Sequence, residues 1–203
     1  MSRAVLLSVR PRWCGDILTG KKTIEVRRTK PKILPPFKTY IYCTGGETLY
    51  RSSNDGEYRR TNLSADSQAL SHHTILNGMV IAEFVCDWCD PFPPGRASFA
   101  ELALGSIVPP RDLYKYAAGE TLYGWHISEP KAYADPLPLS AFRRWEEFGE
   151  DIRPCQNGKN CEHLIYDYGE DCQACAIDFD GTDCPFLKVT RPPQSWMYVE
   201  ELP

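Results

Sequence analysis

The chain has 203 residues, 42% hydrophobic and 25% charged, the make-up of a soluble globular protein with one sizeable core. Its longest apolar runs, such as Val5-Leu6-Leu7 and Met79-Val80-Ile81-Ala82, exclude a membrane-spanning helix, and Val5–Val9 is too short for a secretory h-region. A cytoplasmic protein with no membrane attachment is expected. Its nine cysteines then read as metal ligands or buried thiols rather than a disulfide framework. The net charge of −4 hides an asymmetry: residues 1–38 carry ten Lys/Arg against two acids, and residues 145–203 carry four against thirteen. The basic end suits phosphates and the acidic end suits docking on it, or both are solvated faces.

In chain order, Ala4–Val9 reads as a Val/Leu-rich strand. Pro11 and Gly20 suit the start and the C-terminal cap of a short helix. From Thr23 to Arg28 the pattern alternates, with Thr23, Glu25 and Arg27 on one face and Ile24, Val26 and Arg28 on the other. Thr39–Cys43 is a further strand. Residues 44–77 read as an inserted loop with a helix from about Ala65 to Leu76. Arg51, Arg59 and Arg60 lie beside Tyr50 and Tyr58 in that insert, a mixture that suits either a solvated loop or nucleic acid. Met79–Cys86 is a strand buried on both faces. Ser98 with Glu101 forms a capping box, Asp112–Ala118 a short helix and Leu122–Ser128 a strand. A short helix from Ser140 through Trp145 and a strand over residues 195–199 complete the reading. Short strands without regular βα alternation predict an α+β, mainly β fold: a small antiparallel barrel with peripheral short helices.

Lys22, Glu25 and Arg27 concentrate the chemistry. Glu25 and Arg27 stand side by side on one strand face, where they form a surface ion pair or line a groove. Burial of Lys22 beside a carboxylate would let it act as an acid or base. An arginine suits a phosphate or a carbonyl-rich base edge. Trp125 and His126 adjoin each other on a strand, and His126 reads equally as a core histidine. Cys86-x2-Cys89, Cys14 and Cys43 read as core packing, and His72-His73 as exposed.

The run Gly20-Lys21-Lys22-Thr23-Ile24-Glu25-Val26-Arg27 has the form G-x-K-x-x-E-x-R. On it, and on Ser8-Val9-Arg10-Pro11 and Gly78–Phe84, the chain resembles the ASCH family, relatives of the PUA RNA-binding fold. Tyr123–Ser128 and Pro192-Pro193-Gln194-Ser195-Trp196 resemble later blocks of phage and prophage members. The likeness spans about residues 4–43, 78–143 and 188–200. It implies a PUA-like barrel whose cleft, lined by the motif, binds RNA or a modified nucleoside; Lys22, Glu25 and Arg27 are expected to converge there as ligand-binding residues, with Arg10, Trp196 and Trp125 or His126 at the walls. Some members are amidohydrolases on acetylated cytidine and others are described as ribonucleases. In the amidohydrolases a lysine, a threonine and a glutamate do the work. Lys22 stands at the lysine position, Glu25 occupies the threonine position, and no segment aligns with the glutamate. Met197 stands where relatives often carry cysteine. An enzyme would therefore use Lys22 and Glu25 as a hydrolase on RNA or a nucleoside amide.

Residues 150–186 form a cysteine-rich, acidic insert with the spacing C-x5-C-x10-C-x2-C-x8-C from Cys155 to Cys184. It has turn residues and little apolar material, so it needs a staple, and a structural zinc supplies one. Cys155, Cys161, Cys175 and Cys184 place two ligands in each half, with Cys172 spare. Free thiols and an iron–sulfur cluster are the alternatives. An acidic, zinc-pinned insert would also suit a basic protein partner. Purified under reducing, chelator-free conditions, the chain is expected to carry about one zinc per molecule held by four thiolates. Elemental analysis showing no metal refutes this.

Overall fold

The structure, a computed structural model, describes residues 2–145 and 188–203. The expected ligands Cys155, Cys161, Cys175 and Cys184, and the insert that holds them, lie outside the described residues. The elements in chain order are β1 (Arg3–Val9), α1 (Pro11–Leu18), β2 (Ile24–Arg27), β3 (Phe37–Cys43), β4 (Thr48–Arg51), β5 (Tyr58–Thr61) and β6 (Thr74–Ile75). They continue with β7 (Val80–Phe92), α2 (Arg96–Ser106), α3 (Pro110–Ala117), β8 (Leu122–Leu137) and β9 (Trp196–Glu200). Six strands form one sheet in the order β2-β8-β7-β3-β1-β9, and β5-β4-β6 form a smaller one. β1 and β3 are parallel, so the chain between them crosses over through α1 and β2. β1 and β9 are antiparallel neighbours, which brings the two ends of the chain together.

The fold is α+β and mainly β, as expected, but the sheet is not closed into a barrel. β2 and β9 are its two edges. They are bridged by side chains, Arg27 to Ser195 and Trp196 to Thr29, where a barrel needs a backbone ladder.

β1 shows why the sheet forms. Its side chains alternate between two apolar environments, so the strand is buried on both faces. Val5, Leu7 and Val9 join Cys14 and Ile17 of α1, Ile41, Phe84 and Trp125. Ala4 and Leu6 join Tyr40, Phe142, Val189 and Val199 on the other side. A third cluster packs α2 and α3 over one end of the sheet through Val26, Phe92, Phe99, Leu102, Leu113 and Leu122. Each fully buried Leu or Ile contributes about 1.5–3 kcal/mol.

The inserted segment differs from its expected form. β4, β5 and β6 make it a small sheet, with Leu49 and Leu76 buried in the first cluster. In place of a helix over 65–76 there is a single 3-10 turn at Gln68–Leu70. Ser71 Oγ donates to the Gln68 carbonyl and Ser64 Oγ to Asp66, local bonds that compete with a continuing helix. Asn77 ties the base of the insert, accepting from Leu49 N at 2.7 Å and donating to the Thr44 and Glu47 carbonyls. The arginines there are engaged: Arg59 pairs with Asp55, Arg60 with Glu47, and Arg51 donates to the Tyr133 and Ala134 carbonyls.

Three further boundaries move. Gly95, not Ser98, is the N-cap of α2, so no capping box forms. The expected helix from Ser140 to Trp145 is one 3-10 turn at Leu139–Ala141, after which Arg143 and Arg144 bridge Lys188 and Val199. β7 and β8 run 13 and 16 residues, well past Cys86 and Ser128, because each absorbs its irregularities as register shifts. The acidic end meets the basic end along the β1–β9 ladder, and Glu201, just past β9, pairs with Lys38 at 3.0 Å.

Gly124 of β8 is a close approach of backbone to side chains in the third cluster. A Cβ there would lie 2.7 Å from Phe92 Cε2 and 2.9 Å from Ile24 Cγ2. Gly124→Ala is expected to destabilise the chain by about 1–3 kcal/mol through overpacking. A urea midpoint unchanged from the parent refutes that packing.

Candidate functional site

α1 and the turn after it set up the site. Pro11 at the first helical position and Gly20 at φ +71° delimit the helix and the turn that leaves it. The turn releases Lys22 beside β2. The alternation of β2 sends Glu25 and Arg27 to the face that in β1 carries Val5, Leu7 and Val9, while Val26 joins the α2 cluster. Three charged side chains thus point inward, and their residues keep only 2%, 5% and 9% of their exposure.

They form one network. Glu25 Oε1 lies 2.8 Å from Arg27 NH2, and Glu25 Oε2 lies 3.4 Å from Lys22 Nζ. Lys22 Nζ also donates to the Ser106 carbonyl at 2.9 Å, the last residue of α2, where the helix dipole favours a cation. It lies 5.0 Å from the centre of the Trp13 ring. Arg27 NH2 donates to the Ser8 carbonyl at 2.7 Å, and NH1 to Ser195 Oγ at 3.4 Å. Burial lowers the Lys22 pKa, with the Glu25 carboxylate opposing. Two buried donors are left without a partner, Arg27 Nε and Trp125 Nε1.

The aromatic wall follows from register. Trp125 is directly opposite Glu25 in the β2–β8 ladder, so both side chains share a face. Its ring stands edge-on to Phe37 at 5.9 Å and to Trp196 at 6.0 Å, and Trp196 stands against Tyr198 at 5.3 Å. Half-buried Trp196 is pinned by Nε1 donating to Thr29 Oγ1 at 3.0 Å. The segment before it is tied down by Ser8 Oγ to the Pro193 carbonyl at 2.6 Å and by Ser8 N to the Ser195 carbonyl at 2.9 Å.

The structure therefore brings together Lys22, Glu25, Arg27, Trp125 and Trp196. It leaves two expected residues out. His126 pairs in register with Ile24, on the opposite face of β8, and its Nε2 lies 2.9 Å from Asp90 Oδ2. Arg10 is exposed at the start of α1, contributing its backbone carbonyl to Trp13 N and Cys14 N. Ser8, Trp13, Ser106 and Ser195 are participants that sequence reasoning did not assign. Ser8 and Ser195 lie in blocks that resemble ASCH sequences. A backbone carbonyl such as that of Ser106 leaves no trace in side-chain chemistry. The three charges are neither a surface ion pair nor the lining of an open groove. Two cavities, of about 460 and 360 Å³, lie elsewhere, both lined by Lys38 and Val85. Among the described residues no group of three or more His, Cys, Asp or Glu is arranged to hold a metal, and no helix is long and apolar enough to cross a membrane.

No family model matches the chain, and no curated protein matches it. Among solved structures it is similar to ASCH from Zymomonas mobilis, at 14% identity and a TM-score of 0.46, over 67% of this chain and 73% of that one. Two single-substitution variants of that protein match at TM-scores of 0.44 and 0.45, each at 14% identity over 67% of this chain and 76% and 74% of theirs.

Glu25 is the shared counter-ion of two buried cations. Glu25→Gln leaves both under-compensated and is expected to cost about 3–5 kcal/mol. Denaturant unfolding showing a loss below about 1 kcal/mol would mean the network is solvated rather than buried.

Proposed function

We propose that the chain is an ASCH-type domain that binds RNA or a modified nucleoside at the Lys22–Glu25–Arg27 network, in the cytoplasm. The observation that carries this reading is the pair of buried, unpartnered donors, Arg27 Nε and Trp125 Nε1, beside a buried ion network. A buried donor left unpaired costs about 1–3 kcal/mol, which a ligand acceptor would recover. Nucleobases offer carbonyl acceptors at their edge and a π-face for an indole. Half-buried Trp196, edge-on to Trp125, would offer its ring face to the base. The match of Gly20, Lys22, Glu25 and Arg27 to the ASCH motif supports the same site.

A second reading, a hydrolase on RNA or a nucleoside amide, is favoured by the lowered pKa of Lys22 beside Glu25. Such a lysine exchanges a proton more readily than an exposed one. The zinc-pinned acidic insert, with Cys155, Cys161, Cys175 and Cys184 as ligands, would add a surface for a basic protein.

Titration with a short single-stranded RNA and with acetylated cytidine, read by tryptophan fluorescence, tests the site. Trp196→Ala is expected to weaken binding by about 1–3 kcal/mol through lost stacking, and Arg27→Lys to weaken it while keeping the charge. Affinities unchanged in both folded variants overturn the assignment. Lys22→Met separates the two readings: a binder loses affinity, whereas an enzyme loses turnover more than affinity.

A further inference from the structure

β7 carries two thiols in an arrangement that a regular strand forbids. Residues three apart on a strand point to opposite faces. The ladder between β7 and β8 pairs Cys86 with Ile127, Trp88 with His126 and Cys89 with Trp125. Two residues of β7 therefore span one step of β8 between Cys86 and Trp88. This bulge returns Cys86 and Cys89 to the same face, and their sulfurs lie 3.5 Å apart. It also compresses three residues into two strand rises, roughly 6.8 Å, the upper end of the Cα separation a disulfide accepts.

The two thiols are unequal. Cys86 is fully buried in the first cluster, and Cys89 is partly exposed at its edge. The hydrogen bond between the two sulfurs holds the Cys89 thiol below its ordinary pKa, with the charge of Lys30 acting the same way. That bond, together with burial, pushes Cys86 up. An accessible thiol that ionises readily beside a buried thiol is an attacking and resolving pair. Cys14 and Cys43, by contrast, are both fully buried.

We propose that Cys86 and Cys89 form a thiol–disulfide exchange site that takes a small-molecule disulfide such as oxidised glutathione. Cys89, its proton lost to solvent, attacks one sulfur of that disulfide. The S–S bond breaks, one thiolate leaves and takes up a proton, and Cys89 carries a mixed disulfide. Cys86 then gives its proton to solvent and attacks Cys89 Sγ, expelling the second thiolate. Two electrons pass from the protein dithiol to the small disulfide, giving one protein disulfide and two small thiols. The new bond sits beside Trp125, the wall of the ion network.

The test is peptide mass mapping of the folded full chain after exposure to oxidised glutathione. Trypsin releases residues 61–96, a peptide whose cysteines are Cys86 and Cys89 alone. Its mass is expected to fall by two hydrogens and to recover on treatment with excess reduced glutathione. In Cys86→Ser the mixed disulfide should persist on Cys89. In Cys89→Ser, Cys86 should stay unmodified at least tenfold longer. A wild-type peptide that remains reduced in excess oxidant, with circular dichroism showing a folded chain, overturns the proposal. So does glutathione addition to Cys86 in a folded Cys89→Ser variant at the wild-type rate.

Discussion

The buried ion network of Lys22, Glu25 and Arg27 is the constraint around which the other elements are arranged. Two cations share one carboxylate, so the group carries a surplus positive charge away from water. Such a group is tolerated only when dipoles absorb the surplus. The carbonyl of Ser8 lies one residue before the end of β1, that of Ser106 closes α2, and the hydroxyl of Ser195 precedes β9. None of these is near β2 in sequence. The network is complete only when β1, β2, α2 and the last strand have all reached their places.

Stability and specificity are divided between different parts of the molecule. The apolar clusters on both faces of β1 supply the driving force, because each strand residue there loses its contact with water. The ion network adds little net energy and imposes one arrangement, since a wrong register would leave a charge unpaired. Two donors, on Arg27 and Trp125, are not matched by that arrangement. These are the donors that the proposed ligand's acceptors would meet. That links the packing of the sheet to the proposed ligand.

Irregularity in the long strands matters as much as regularity. β7 and β8 hold their ladder over most of their length only by shifting register, between Val80 and Ala82, Glu83 and Val85, and Cys86 and Trp88. Each shift changes which side chains share a face. One of them seats Cys89 beside Cys86. Another accompanies Glu129, whose φ of +49° lies in the left-handed region in the stretch of β8 facing Glu83 and Val85. The chemistry of β7 is thus decided by where the bulges fall.

Much of this was legible from residue order. The apolar runs of β1 and β7, the Pro11 and Gly20 punctuation of α1, and the alternation of β2 are local patterns, and local sterics and solvation make them strands or helices. That Glu25 and Arg27 share a face followed from the same alternation. What residue order left open was direction and closure. Alternation does not say which face is inside, and the charged face of β2 turned inward because Trp125 and α1 already cover that side. Closure into a barrel depends on whether β2 and β9 meet through backbone or side chains, which no local pattern encodes. His126 fell on the opposite face from its neighbour Trp125 for the reason that any strand separates adjacent residues. The pairing of Cys86 with Cys89 needed a bulge, a property of the β7–β8 ladder rather than of either strand alone.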